Sequence, residues 1–346
     1  MRSMSGPSPH PSAGALIDAL GLVENPHGGW FRQVHECRPE AGDGRSVATV
    51  ITFLLDSNRP VAYLHRMSAD AVHYFHQGGP LVVVTVSPKG ELSRTVLGND
   101  IGGGQQLQVV VPGGWWKGFE HGGGPWSLIG EAVAPGWVVT DDETATLALA
   151  RSEWNDLAGD IEHLIPGGSA HRPHIPAPAP PVPSRRPIDL RHGLELEPNL
   201  EGGYYRQTFE SAGRTSTADG PRPLLNTIFY LLTADSPIGH LHLNRSAITH
   251  FHHLGGPSTY VLVAPSGNLE EVVLGPDLAA GHVLSFTCPG GWWKASHILA
   301  PGATDCLVSE AVAPGFRYDD HRMATFDEIA AIHPSLIDQL APLILR

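Results

Sequence analysis

Short apolar and alternating runs, cut at close intervals by Gly, Pro, Asn and Asp, fill most of this chain. TVITFLL, LVVVTVS, ELSRTVL, QLQVVVP and WSLIGEAV lie in its first half, and NTIFYLL, STYVLVA, LEEVVL, HVLSFTCP and DCLVSEAV in its second. Strands of this length at this spacing predict an all-β sandwich or barrel. SPKGEL and PSGNLE stand between consecutive runs as hairpin turns. Each half then ends in a helical tail, and in the second Thr325 with Glu328 fits a capping box before IAAIHPSLIDQL.

The chain contains itself twice. GGWFRQ (28–33) returns as GGYYRQ (202–207), HQGGP (76–80) as HLGGP (253–257), PGGWWK (112–117) as PGGWWK (289–294), and EAVAPGW (131–137) as EAVAPGF (310–316). The offsets are 174, 177, 177 and 179, so insertions between the copies are small. Between them runs PGGSAHRPHIPAPAPPVPSRRP (166–187), whose dense proline prevents helix or sheet continuation and favours an extended spacer. The expected organisation is a disordered lead at 1–13, a barrel at 14–165, the linker at 166–187 and a second barrel at 188–346, each barrel with a C-terminal helix.

Bulk properties narrow the partners. The 346 residues are 41 % hydrophobic, enough for a core in each copy. A formal charge of −13, with no run of Lys and Arg interleaved with aromatics, argues against nucleic acid. Cys37, Cys288 and Cys306 are too few and too scattered for a disulfide framework or a thiolate zinc site, which points to reduced thiols and a cytoplasmic protein. No stretch approaches the ~18 to 20 apolar residues of a membrane span, so no membrane partner is expected. The GG pairs lack the strand-to-helix context of a phosphate loop and are assigned to a tight bend, so no nucleotide cofactor is expected.

GHLHLNRSAITHFHH (239–253) holds five histidines in fifteen positions. Taken with LGL…PHGGWFRQ, the GGP, VLG and PGGWWK segments and VAPGF, the chain resembles the cupin superfamily, and more narrowly its DUF985 or cupin_5 branch, from about Leu16 to Leu340. The resemblance implies an RmlC-like double-stranded β-helix (jelly roll) in each half, making a bicupin. It implies no single activity, since cupins include oxygenases, isomerases, epimerases, lyases and storage proteins.

The resemblance also implies a metal pattern: HxH on one strand, a Glu several residues later, and a His after a PxG turn. His240 and His242 supply the HxH, but the Glu position falls on Ile248 and the last His position on Lys294; the first copy has Tyr63, His65, Ala71 and Lys117 there. Strand alternation offers replacements, because positions 248, 250 and 252 share one face. His240, His242, His250 and His252 are therefore the candidate ligands for one divalent transition metal, Fe, Zn, Mn, Ni or Cu. The first copy keeps only His65 and His73 of that set, which with Glu131 are assigned to substrate binding. His76 and His253 fall on the opposite face, as outer-face or interface histidines.

Glu131 and Glu310 interrupt apolar runs and suit a carboxylate ligand, a general base, or plain outward exposure. Lys117 and Lys294 follow a Trp pair and suit proton transfer, anion clamping or surface snorkelling. Glu310, Lys294 and Tyr204 are the catalytic candidates, and Arg206 and Trp292 the candidates for the pocket wall. Three readings stay open. One is a metal-dependent enzyme of isomerase, lyase or oxygenase type acting on a small molecule in the second barrel. Another is a metal-free epimerase, isomerase or dehydratase using His acid–base chemistry, and the third is a non-catalytic ligand-binding bicupin. The two copies are expected to pack as an intramolecular pseudo-dimer, with a homodimer left open.

Overall fold

A computed structural model describes residues 11–40, 44–168, 189–299, 302 and 304–346. The expected lead and linker fall outside the described residues except at 11–13 and 166–168, and the lead stops short of 13, where helix Ala13–Leu20 begins with Ser12 as its cap. Two compact units result. One combines the residues up to Val34 with Val50–Glu131 and Val138–Pro183; the other combines His35–Thr49, Ala132–Trp137 and Ser184–Arg346.

The same architecture is built twice. In the first repeat a six-stranded sheet runs in the order Val23–Glu24, Trp30–Cys37, Ala48–Asp56, Trp126–Ala134, Asp70–Gly78, Gln108–Val111. Its partner sheet runs Glu143–Thr144, Val61–Arg66, Trp116–His121, Leu81–Val86, Leu92–Leu97. In the second repeat the orders are Glu197–Pro198, Tyr204–Glu210, Asn226–Leu232, Cys306–Ala313, Ala247–Gly255, Ser285–Cys288, and Leu269–Leu274, Ser258–Val263, Trp293–His297, Ile238–Asn244, His321–Met323. Most neighbours in these sheets are not consecutive in the chain, which is the double-stranded β-helix and not a meander. The second repeat adds a hairpin, Arg214–Thr217 with Gly220–Pro223.

In the second repeat both faces of the five-stranded sheet are covered, which explains its continuous apolar runs. Within Ser258–Val263, Tyr260 and Leu262 pack inward with Tyr230, Leu274 and Val308. Val261 and Val263 pack outward with Leu241, Trp293 and Ala295 against the tail residues Ile329, Leu340 and Leu343. Ile329 and Leu340 are fully buried, each stabilising the tail by roughly 1.5–3 kcal/mol. Helix Phe326–Ile332 starts at Thr325, whose hydroxyl accepts from the Glu328 N–H at 3.3 Å. Because Trp293 and Ala295 face the tail, strand alternation turns Lys294 into the barrel.

Candidate functional site

Two polar clusters form in the second barrel. The first is a buried trio set by register: His250 lies directly across from Glu310, and Lys294 directly across from His242. The Lys294 ammonium donates to His250 Nε2 at 2.9 Å and lies 3.5 Å from Glu310 Oε1, while His250 Nε2 approaches Glu310 Oε1 at 3.2 Å. Phe286 stacks on the His250 ring at 4.6 Å, with the Tyr260 edge at 4.7 Å. Burial alone would raise the Glu310 carboxyl, but Lys294 and then His250 outweigh it and hold it well below the usual carboxylate range. Burial, and then Lys294, push His250 down to about 4 against the pull of Glu310, so the imidazole is neutral near pH 7. The first repeat carries the same trio. Lys117 contacts Glu131 and donates to His73 Nε2 at 3.4 Å, and His73 lies 3.4 Å from Glu131.

The second cluster belongs to the second repeat alone. Glu201 Oε2 lies 3.4 Å from His242 Nε2, and Glu201 Oε1 lies 2.8 Å from His321 Nε2. Among the described residues these are the only three His, Cys, Asp or Glu side chains whose ligand atoms all lie within 4.8 Å of one another. Backbone geometry brings Glu201 there. The His240 N–H donates to the Glu201 carbonyl at 2.6 Å, and Gly202, at φ 96°, lies so close that a Cβ would collide with the Ile238 carbonyl. His321 arrives on the short edge strand His321–Met323, paired with Ile238–Asn244.

This cluster fits a cation. His242 Nδ1–H donates to the His240 carbonyl at 2.7 Å, which leaves Nε2 as the lone-pair nitrogen, buried and without a hydrogen-bond partner. Burial holds His242 below its ordinary pKa against the opposing pull of Glu201, so a neutral lone pair faces a carboxylate oxygen. A positive charge between them removes that repulsion. Two imidazoles and a carboxylate suit Fe, Zn or Mn.

The repeat offsets place His27, His65 and Asp142 at the corresponding positions in the first barrel. The composition is again two imidazoles and a carboxylate, with the carboxylate at a different position. Here, however, His27 Nε2–H donates to Asp142 at 2.8 Å, and its Nδ1 lies 3.3 Å from the Thr144 hydroxyl. His65 stacks on His27 at 4.1 Å with ring planes 6° apart, so their in-plane lone pairs run in parallel planes and do not converge. Burial, then Lys117 and His27, push His65 down to about 3.

Both clusters of the second barrel reach one cavity of about 590 Å³, through Glu310 from the buried trio and through Glu201 and His321 from the other. Ile228, Asn244, Ile248 and Val312 also line it, with Tyr205, Arg206, Phe316 and Tyr318 among its other walls. Arg206 is engaged by Glu195 at 3.1 Å.

The four candidate imidazoles, two from the HxH pattern and two from strand alternation, do not converge. A register shift between Gly239 and His242 breaks the alternation, and the His240 ring donates to the Leu343 carbonyl at 3.3 Å. His250 belongs to the Lys294 trio, and His252 sits 3.3 Å from the Gly256 carbonyl, pushed down to about 4 by burial. Only His242 of that set joins a ligand cluster. Tyr204 is not a cavity residue, since its hydroxyl donates to Asp235 at 2.8 Å and Arg191 lies over its ring at 4.1 Å; Tyr205 lines the cavity instead. Trp292 packs against the interior apolar cluster and not on the cavity wall. His76 and His253, read as outer-face or interface histidines, are both buried, with His253 Nε2 2.7 Å from the Ser309 hydroxyl. Glu201 and His321 escaped the strand-based reading. Their signal lay in the repeat alignment, where they face His27 and Asp142.

The chain matches a family model described as Cupin superfamily (DUF985) over residues 14–145 and 189–324. YML079W, an uncharacterized protein of Saccharomyces cerevisiae, is 36 % identical over 160 residues, which is 42 % of this chain and 78 % of that protein. A hypothetical protein from Leishmania major is 28 % identical, covers 45 % of this chain and 97 % of its own, and superposes with a TM-score of 0.44. A variant of oxalate decarboxylase from Bacillus subtilis covers 91 % of this chain and 80 % of its own at 13 % identity and a TM-score of 0.50, a likeness of fold alone.

Proposed function

The chain belongs to the Cupin_5 (DUF985) family of the cupin superfamily, and from that premise we propose a metal-dependent enzyme acting on a small organic molecule in its second barrel. One observation carries the reading: Glu201, His242 and His321 bring three ligand atoms together, and two of them, Glu201 and His321, line the cavity that Glu310 also lines. These three side chains would hold a divalent transition metal through one carboxylate oxygen and two Nε2 atoms. Bound there, the metal supplies Lewis-acid polarisation of a ligand oxygen. Glu310 is the proton acceptor facing that ligand, and Lys294 and His250 behind it fix its orientation and its charge. A carboxylate held this acidic is a weak base, so it removes only a proton made labile by a polarised neighbour. That dependence favours isomerase or lyase chemistry with a metal over metal-free acid–base catalysis. The convergence of ligands in one repeat, against a closed arrangement at the same positions in the other, favours a functional site over a structural polar core.

The test is elemental analysis of protein purified without a His tag or chelator. About one transition metal per chain is expected in the wild type, lost in His242→Ala and in His321→Ala and retained in His240→Ala and His65→Ala. A wild type that holds no metal after reconstitution with Fe, Zn or Mn overturns the reading.

A further inference from the structure

We infer that the ligand of this cavity is a neutral polyhydroxylated molecule of monosaccharide size, a hydroxy-carbonyl compound, and that Asn244 is the residue that selects it. The inference rests on the proposed metal site, which fixes where one ligand oxygen sits. Asn244 is 8 % exposed, lines the cavity and leaves its Oδ1 without a hydrogen-bond partner. It stands two residues beyond His242 on the same strand and directly across from His321 in the register. A buried acceptor of this kind is costly unless a donor reaches it, so the ligand group facing it is a hydroxyl. An oxygen at the Glu201, His242 and His321 cluster with a hydroxyl beside it describes an α-hydroxy-carbonyl or a vicinal diol.

The remaining walls agree. Lys294 is paired with Glu310, and Arg206 gives its Nη1 to Glu195 while its Nε stays available as a donor to a ligand oxygen; with Glu195, Glu197, Glu201 and Glu310 on the walls the negative charge outweighs that one guanidinium and disfavours an anionic ligand. Asn199, Gln207 and Asn226 bring amides that both donate and accept, and Tyr205 with Tyr318 brings aromatic faces, the chemistry that receives ring hydroxyls and C–H faces. A volume of about 590 Å³ is ample for one small ring. The first repeat provides an internal contrast. The offset of 177 puts buried Met67 at the position of Asn244, next to the trio that does not converge. The polar acceptor and the convergent ligands thus occur together in one repeat and are both missing from the other.

The experiment is isothermal titration of tag-free protein of measured metal content with D-fructose and D-xylose, with D-gluconate and oxalate as acidic probes and D-glucosamine as a cationic one. The neutral sugars should bind the wild type, bind Asn244→Leu at least about tenfold more weakly, and bind Asn244→Asp, which keeps the acceptor, far better than the Leu variant. Metal content should stay constant across the three proteins. Asn244→Met, the first repeat's own side chain, takes the place of Asn244→Leu if that variant does not fold. Preference for gluconate or oxalate, no binding of either neutral sugar, or sugar binding unchanged in the Leu and Met variants overturns the inference. Asn244-dependent sugar binding by a protein that holds no metal overturns the metal reading and leaves this inference standing.

Discussion

Lys294→Met removes an ammonium from the barrel interior while keeping most of its aliphatic stem. Lys294, His250 and Glu310 are 4 %, 0 % and 6 % exposed, so only the cavity edge of Glu310 meets water and little solvent reaches the trio to replace the lost charge. Burial alone raises the Glu310 carboxyl, and Lys294 is the largest influence that reverses it. Without Lys294, Glu310 must stay charged and uncompensated or take up a proton. Removing one side of a buried pair costs ~3–5 kcal/mol, since the other charge is left stranded. At about 2–4 °C per kcal/mol for a unit of this size, the thermal transition of the second unit should fall by about 6–20 °C. Differential scanning calorimetry reads this, with the first unit, whose own Lys117 trio is intact, as an internal reference. Lys294→Met with Glu310→Leu removes both charges and should recover most of the loss. The pH dependence has a definite sign. In the single variant the folded carboxyl titrates above its unfolded value, so the penalty shrinks as pH is lowered from 7 to 5. A loss under about 1 kcal/mol for the single variant, or a double variant no more stable than it, would refute the assignment of a dry, charge-coupled trio.

Other consequences follow from the same geometry. His250 and His252 sit at about 4 in the folded chain against an ordinary 6.5, so on acidification the unfolded chain binds protons first. Stability present above pH 6.5 should therefore decline between 6.5 and 4, by on the order of 3 kcal/mol for each histidine, and urea midpoints that stay flat over that range would contradict their burial as neutral rings. Chelation should lower the transition of the second unit, by about 2.7 kcal/mol where free metal stood at a hundred times its Kd; His65→Ala should keep this response and His321→Ala should lose it. Gly255, at φ +90°, has the Asp305 carbonyl where a Cβ would go, whereas Gly291, at φ +79°, has open space. In denaturant melts Gly291→Ala should cost ~1–2 kcal/mol and Gly255→Ala clearly more; equal losses would contradict the close approach at the HLGGP turn.

The duplication, the strands and the all-β sandwich-or-barrel class were legible in the residues, because each rests on a local property: repeated words at a nearly constant offset, and apolar runs of strand length between turn formers; the jelly roll was what the family resemblance implied. The direction of Lys294 stayed open at that level, because alternation needs an anchor, and the packing of Trp293 and Ala295 against the tail supplied it. The ligand cluster rests on no such local property. Glu201 precedes a double-glycine bend and His321 opens a three-residue edge strand, and neither segment has a periodicity that says where it will lie. They meet His242 only because the 201–203 backbone crosses close to Ile238 and because His321–Met323 pairs with Ile238–Asn244. The HxH pattern misplaced His240 for a related reason, since a register shift between Gly239 and His242 interrupts the alternation and the His240 ring meets the Leu343 carbonyl instead. Periodicity determines which face of an element a side chain takes. Which bend closes the barrel mouth, and where a register slips, is settled by packing between segments far apart in the chain, and in this protein that packing drew one residue of a histidine-rich stretch into a cluster whose other two members lie outside it.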